Sequence, residues 1–299
     1  MTYKNLQVIT LKDKSIELNI LPQIGGRISS FIFDDFHILR PLSLDSINSG
    51  NSLKGGCFPL VPFSNRIKNA KFNFNGLKLQ LNQNDFPHAI HGHGYLKKWT
   101  VSEQTKSSLT IIYHHQENDF GWPWSYEITQ SIYLKNSSCI IKLILKNTSN
   151  SNMPFGFGIH PFFNFNDQII LKFGASREWV GPPENFPIKT KPVENRFDMI
   201  NGSLLWKRAK TASYKDFEGE AAIIWPFHKK KILIRADNIF NHLIVHVPNG
   251  AEYFCLEPVS HPTDGFNLSD QKIENIDNNF LLPNGSITGS IEIDLCKYV

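Results

Sequence analysis

The chain is poor in cysteine: Cys57, Cys139, Cys255 and Cys296 are all it has in 299 residues, and no two form a C-x-x-C pair. That spacing excludes a zinc ribbon and a dithiol redox motif, and predicts isolated, partly buried thiols of a reducing compartment. Long apolar runs are also missing. No segment reaches 18 continuous apolar residues, so no membrane-spanning helix is expected. The opening MTYKNLQVITLKD has neither an apolar h-region nor a small-residue cleavage site, which makes the cytoplasm the expected location. Charge is sparse, with 19% charged residues and a net +4. The only basic run is Lys229, Lys230 and Lys231, set between apolar stretches. It reads as a turn with solvated lysines rather than a nucleic-acid surface, because backbone binding needs an extended basic face. Neither a P-loop nor a dinucleotide glycine fingerprint occurs, so no nucleotide cofactor is expected.

Helical periodicity is lacking too. No stretch of a dozen residues carries a convincing 3.6-residue pattern with caps at both ends. No internal repeat stands out, which argues against a propeller. What is present is alternation. Ser15–Ile20, Leu109–His114, Tyr126–Leu134, Cys139–Leu145, Ala221–Trp225, Lys231–Arg235 and His242–Val247 alternate with period two and are rich in β-branched and aromatic residues. Asn75-Gly76, Asn249-Gly250 and Asn284-Gly285 are turn dipeptides. Hydrophobic residues make up 41% of the chain, enough for a sizeable core, and the 19 glycines and 17 prolines are scattered rather than gathered in a linker. The expectation is one all-β domain over residues 1–299, with antiparallel sheets packed face to face.

Four segments could carry chemistry. In Gly55–Ile67, GGCFPLVPFSNRI, Arg66 offers a planar fork of donors for sugar hydroxyls or a carboxylate, or else is satisfied by a buried acid. In His88–Gly94, HAIHGHG, three histidines suggest a metal. The first acid afterwards, Glu103, lies too far for a cupin-like set, so no metal is expected and a hydrogen-bonding histidine in a polar cleft is the preferred reading. Read as one strand, Met153–Asn164, MPFGFGIHPFFN, places Phe155, Phe157 and Ile159 on one face and Pro154, Gly156, Gly158 and His160 on the other. Its bare glycine face beside His160 favours close approach of a ligand. In Glu252–Asn267, EYFCLEPVSHPTDGFN, Tyr253, Cys255 and Glu257 share a face. A carboxylate in so apolar a strand is costly unless paired or functional, and burial would raise its pKa toward that of a general base.

These pieces together, GGRISSF, GGCFPLVPFSNRI, IHGHGYLKKW, GFGIHPFF and CLEPVSHPTDGFN, resemble in order and spacing the aldose 1-epimerase family, in its shorter bacterial branch. The resemblance implies a large antiparallel β-sandwich of the galactose mutarotase-like (supersandwich) type. It implies an isomerase of carbohydrate metabolism that interconverts sugar anomers without a cofactor, taking a small-molecule sugar and acting as a monomer or homodimer away from membrane and nucleic acid. By the same resemblance Glu257 is the general base and His160 the general acid, while Arg66, His91, Asn65 and Phe162 are substrate-binding. Trp122 and Trp124 are further candidates for stacking on a sugar face, against plain core packing. One departure concerns an Asp the family uses on sugar hydroxyls. Its position falls near Thr211, with Asp216 the nearest acid. Alternatives of the same fold are a hexose-6-phosphate 1-epimerase, with charge from Arg27, Arg66 and Lys68, and a non-catalytic carbohydrate-binding protein.

Overall fold

The structure is a computed structural model. It describes all residues except 1–5, 43–44, 46, 48–53, 166–167, 183–185, 195, 206–209, 274–275, 278 and 298–299. The alternating segments are strands of one continuous 18-stranded hydrogen-bonded sheet, and every pairing in it is antiparallel. Its principal strands are β1 (Ile9–Asp13), β2 (Ile16–Leu21), β3 (Arg27–Phe33), β4 (Cys57–Leu60), β5 (Thr100–Gln104), β6 (Ser108–His115), β7 (Tyr126–Lys135) and β8 (Ser138–Asn147). After these come β9 (Gly158–Asn164), β10 (Ile169–Val180), β11 (Lys210–Trp225), β12 (Lys230–Ala236), β13 (His242–Val247), β14 (Tyr253–Val259) and β15 (Ser286–Lys297). The two α-helices described are single short turns, Arg196–Asn201 and Gly265–Asp270. No helix among the described residues is long and apolar enough to cross a membrane.

The pairings run in two series. One is β1–β2–β3–β4–β9–β14–β13–β11. The other is β5–β6–β7–β8–β15–β12–β11. Strand β11 belongs to both: Lys210–Lys215 pairs with β13 and Glu220–Trp225 with β12. Its partner β10 follows it through a register shift between Phe173 and Ala175. At that corner Gly219 has φ +78, a backbone conformation that favours glycine. Leu18, Phe31, Phe163 and Phe254 of the first series share one core cluster with Ile111, Ile128, Ile141 and Ile293 of the second. The core is therefore the space between the two layers of a sandwich.

Asn75 and Gly76, both with positive φ, close the hairpin Lys71–Phe74/Leu77–Gln80 as that dipeptide predicts. Two readings are corrected. Met153–Asn164 is not one strand: Met153–Pro154 pairs with Phe280–Leu281, and β9 begins only at Gly158. The lysine run is not simply solvated, for Lys230 is bonded to Asp34 and lies over the Phe33 ring.

The outer face of the first layer positions the site. In β14, Phe254 and Leu256 point into the core, while Tyr253 and Cys255 join a second cluster outside it with Phe58, Phe162 and Ile244. Period-two alternation puts Glu257 on that same outer side.

Candidate active site

Strand register assembles the site. Gly158 pairs with Val259 and Phe162 with Cys255, and the same register sets His160 opposite Glu257. Pro161 and Pro258 lack the N–H groups that would continue the ladder between those pairs. His160 in turn faces Phe58 on β4, and Glu257 faces Ile244 on β13. His160 Nε2 lies 3.5 Å from Glu257 Oε1. Glu257 is 2% exposed and His160 7%. Glu257 Oε2 and His160 Nδ1 have no hydrogen-bond partner among the described residues. Two adjacent buried groups with spare valence are costly in a fold that has no use for them.

Burial sets their proton affinities in opposite directions. It raises the Glu257 carboxyl to about 8, against the pull of Arg66. It holds His160 well below the ordinary histidine value, helped by the nearby His91, Arg27 and His246. The imidazole packs on the rings of Phe58 and Phe162, with centroids 4.8 and 4.6 Å away. At neutral pH the pair therefore holds a single proton, more on the carboxyl than on the ring.

A cleft of about 670 Å³ opens over this pair, within the size range of small-molecule sites. It is walled by Asn65, Arg66, His91 and Tyr95 from the segment between β4 and β5, and by Thr211, His246 and Tyr253 from the strands. Asn65 and His91 both adopt left-handed backbone, with φ of +52 and +60. They lock together: the Asn65 N–H donates to His91 Nδ1 at 3.1 Å and the His91 N–H to the Asn65 carbonyl at 2.9 Å. Because Nδ1 accepts, the neutral ring carries its proton on Nε2. Burial and the cations Arg66 and Arg27 keep His91 neutral, with its pKa down to about 3. His91 is thus a fixed hydrogen-bond donor set edge-on to His160, with ring centroids 4.9 Å apart.

Arg66 does not pair with Glu257. Its Nε donates to Asp85 Oδ2 at 2.6 Å, which holds the guanidinium at the cleft wall. Arg27, fully buried, donates to the Gly55 carbonyl and lies 4.4 Å over the Phe58 ring. His160, Cys255 and Glu257 could hold a metal ion by distance, their ligand atoms all lying within 4.8 Å. Burial and the Glu257 charge push the Cys255 thiol well above its ordinary value, so it is a reluctant ligand.

All six residues expected at the site, Glu257, His160, Arg66, His91, Asn65 and Phe162, line this one cleft. Several other expectations turn out differently. The histidine motif splits up: His88 Nδ1 accepts from the Asn69 N–H outside the cleft, and His93 is buried against Tyr126. Trp122 and Trp124 are core residues beside Phe63, Phe72 and Phe74. The glycine face beside His160 is not open to a ligand. A Cβ on Gly156 would strike the His261 ring at 1.8 Å, and one on Gly158 the Pro258 carbonyl at 2.4 Å. Of the two candidates for the family's missing Asp, Thr211 reaches the cleft, bonded to His246 Nδ1 at 2.8 Å, whereas Asp216 binds Ser176. Tyr95, Asp85 and His246 also line the cleft, beyond the residues the sequence motifs point to. His246 had a usable signal, since alternation in HLIVHV puts it on the face opposite Leu243 and Val245.

The family model described as aldose 1-epimerase matches residues 7–293 of this chain. The uncharacterized protein YphB of Escherichia coli K12 is 27% identical over 87% of this chain and 90% of its own length. An aldose 1-epimerase of Haemophilus influenzae is 22% identical over 53% of this chain and 48% of that protein. The crystal structure of a galactose mutarotase-like protein from Clostridium acetobutylicum superimposes with a TM-score of 0.85, covering 99% of this chain and 97% of that one at 17% identity.

Proposed function

The chain belongs to the aldose 1-epimerase family, and from that premise we propose that it is a mutarotase, interconverting the α and β anomers of a free aldose by acid–base ring opening and closure. The observation that carries the proposal is the buried His160–Glu257 pair, 3.5 Å apart at the floor of the cleft. The two oxygens that must exchange protons, O1 and the ring oxygen O5, are both bonded to C1. An acid and a base that serve them must therefore be close neighbours, as these two are.

Glu257, as carboxylate, takes the O1 proton while His160, as imidazolium, protonates O5. The C1–O5 bond breaks and C1 becomes an aldehyde. After rotation about C1–C2, O5 adds to the other face of the carbonyl, returning its proton to His160 as Glu257 gives one to O1. No proton is gained or lost over the cycle. The reactive pair differs from the resting one only by a proton shifted across the 3.5 Å gap, and the Arg66 charge favours that shift by stabilising the carboxylate. Each transfer by a positioned group contributes roughly 10²–10⁴-fold. His91 and Arg66 supply hydroxyl-binding donors, with Asn65 orienting His91 and Phe162 offering an apolar ring.

The sugar-phosphate alternative keeps two of its three cations at the cleft, Arg27 and Arg66, with Lys54 also in the lining, while Lys68 lies outside it, over the Phe186 ring. Polarimetry on freshly dissolved α-glucose, α-galactose and other aldoses, with their 6-phosphates alongside, tests the reading. Catalysed approach to anomeric equilibrium with a free sugar is expected. Catalysis of phosphates alone transfers the assignment to the sugar-phosphate reading, and no catalysis to the binding-protein reading.

A further inference from the structure

The row of residues that holds the proton-transfer pair does not end at the cleft. Ile244, opposite Glu257, is itself opposite Ser213 on β11, and Ser213 is opposite Trp179 on β10. Directly opposed residues project to the same face, so Trp179, Ser213, Ile244 and Glu257 form one line across the outer surface. Three inter-strand steps of about 4.8 Å make that line roughly 14 Å long, more than one pyranose ring with its hydroxyls. A hollow of about 210 Å³ lies at its far end, lined by Trp179, Ser213, Pro187 and Thr263. It shares Thr211 and Ile244 with the main cleft, so the two spaces adjoin.

Polar atoms in this hollow are left without protein partners. Trp179 is 5% exposed, and neither its Nε1–H nor the Ser213 hydroxyl, both closed to solvent, has a hydrogen-bond partner among the described residues. Beside them His242, fully buried and nearly parallel to the indole at 6.2 Å, leaves Nε2 unpaired. Its tautomer is set by a chain of bonds. Asn241 Nδ2 donates to Asp277, so Asn241 Oδ1 must accept from His242 Nδ1 at 2.7 Å, and Nε2 is a bare acceptor. The indole N–H and the hydroxyl, on two residues that line the hollow, match a hydroxyl-bearing ligand, whereas an apolar one would leave both unsatisfied; His242 lies behind them and does not line the hollow.

We propose that this hollow is a subsite for the second sugar unit of a reducing oligosaccharide, held by Trp179 and Ser213 while the reducing unit lies over His160 and Glu257. The inference rests on the mutarotase reading of the main cleft for the placement of the reducing unit. It makes Trp179 and Ser213 specificity residues that a monosaccharide does not reach.

The test compares glucose and galactose with maltose, lactose and melibiose, which extend the reducing unit from O4 or O6. Binding is followed by NMR titration and anomerisation by polarimetry, in wild type, Trp179→Phe and Ser213→Ala. At least one disaccharide is expected to bind about tenfold more tightly than its reducing monosaccharide. Each variant is expected to erode that gain by about three- to tenfold, as for loss of one hydrogen bond, with monosaccharide affinity and turnover unchanged. Should Trp179→Phe not fold, Ser213→Gln fills the hollow and is expected to abolish the same gain. The proposal is overturned if no disaccharide outbinds its monosaccharide, or if the gain survives in the variants; the open polar atoms would then hold structural water. If no sugar is anomerised yet the disaccharide gain and its loss in the variants persist, the mutarotase reading fails and the subsite stands.

Discussion

Two groups of histidines, each with one member from the segment between β4 and β5, differ in what their ring nitrogens face. In the first, His93 bonds Tyr126 Oη at 2.8 Å and His115 bonds Tyr113 Oη at 3.1 Å, with the two imidazoles 4.2 Å apart. At the cleft, His160 meets the Glu257 carboxylate and His91 directs its Nε2–H away from Asn65. Burial lowers the pKa in both groups. A depressed pKa therefore does not separate the site from the core. The separating feature is a titratable partner of opposite charge within reach, since His115 Nε2 in the buried group is also without a hydrogen-bond partner among the described residues. A buried histidine bonded to a tyrosine stabilises the fold; one facing a carboxylate at a cleft can exchange a proton with it.

The strongest test of this contrast is Glu257→Gln, which keeps the shape and removes the base. Anomer exchange is expected to fall by roughly 10²–10⁴-fold in kcat, with little change in sugar affinity. Stability should move the other way. A carboxyl whose folded pKa is raised to about 8 contributes stability that is fully present below its unfolded value and is lost as pH rises toward 8. Gln has no such loss. Thermal melts should therefore match wild type near pH 4 and exceed it at pH 8 and above. A folded variant with normal turnover would remove Glu257 from the mechanism. Asp264 is the less suitable substitute, since its carboxylate accepts from the Lys68 N–H and the Asn267 amide.

The pH profile of kcat/KM gives the next largest effect. Turnover requires one proton on the pair, so the alkaline limb should fall near pH 8, where Glu257 releases it, by about tenfold per unit beyond. The acid limb should lie well below 6.5, where His160 gains a second proton. A flat profile from pH 6 to 10 would contradict the shared proton.

In the buried group the outcome reverses. Tyr126→Phe leaves His93 Nε2 unpaired and is expected to cost about 1–3 kcal/mol in urea unfolding, while anomerisation by the folded protein is expected to stay unchanged. A loss of turnover at unchanged stability would show that the two groups are coupled. The smallest effect is expected from chelation. Dialysis against EDTA should leave anomerisation unchanged, because the Cys255 thiol is held protonated. Activity lost and restored by one divalent metal would instead make His160, Cys255 and Glu257 a metal centre.

How much of this was legible in advance varied by element. Strand β13 occupies the residues its alternation marked, and the β6, β7, β8 and β12 segments are extended by only one or two residues at one or both ends. Alternation also put Tyr253, Cys255 and Glu257 on one face. Where the reading failed, the cause was a neighbour distant in sequence. Gly156 is small because of His261, not a ligand, and a bare strand face looks the same in either case. For Trp122 and Trp124 in FGWPWSYE the residue types left a stacking platform and core packing both open, and contact with Phe63, Phe72 and Phe74 decides for core. Within HAIHGHG the resemblance pointed to His91, and His91, in a left-handed turn, is the imidazole of the three that lines the cleft.

The sequence by itself determined what depends on near neighbours: an all-β chain, the parity that puts Glu257 and His160 on one side of their strands, and the ordered motifs that resemble the aldose 1-epimerase family. Only the tertiary structure decided that β9 and β14 pair in the register that sets those two groups 3.5 Å apart, that Asp85 takes Arg66, and that Thr211 lines the cleft. Side-chain parity repeats every two residues and is encoded locally. Register, burial and the proton affinities that follow from burial are set by residues brought together from distant parts of the chain.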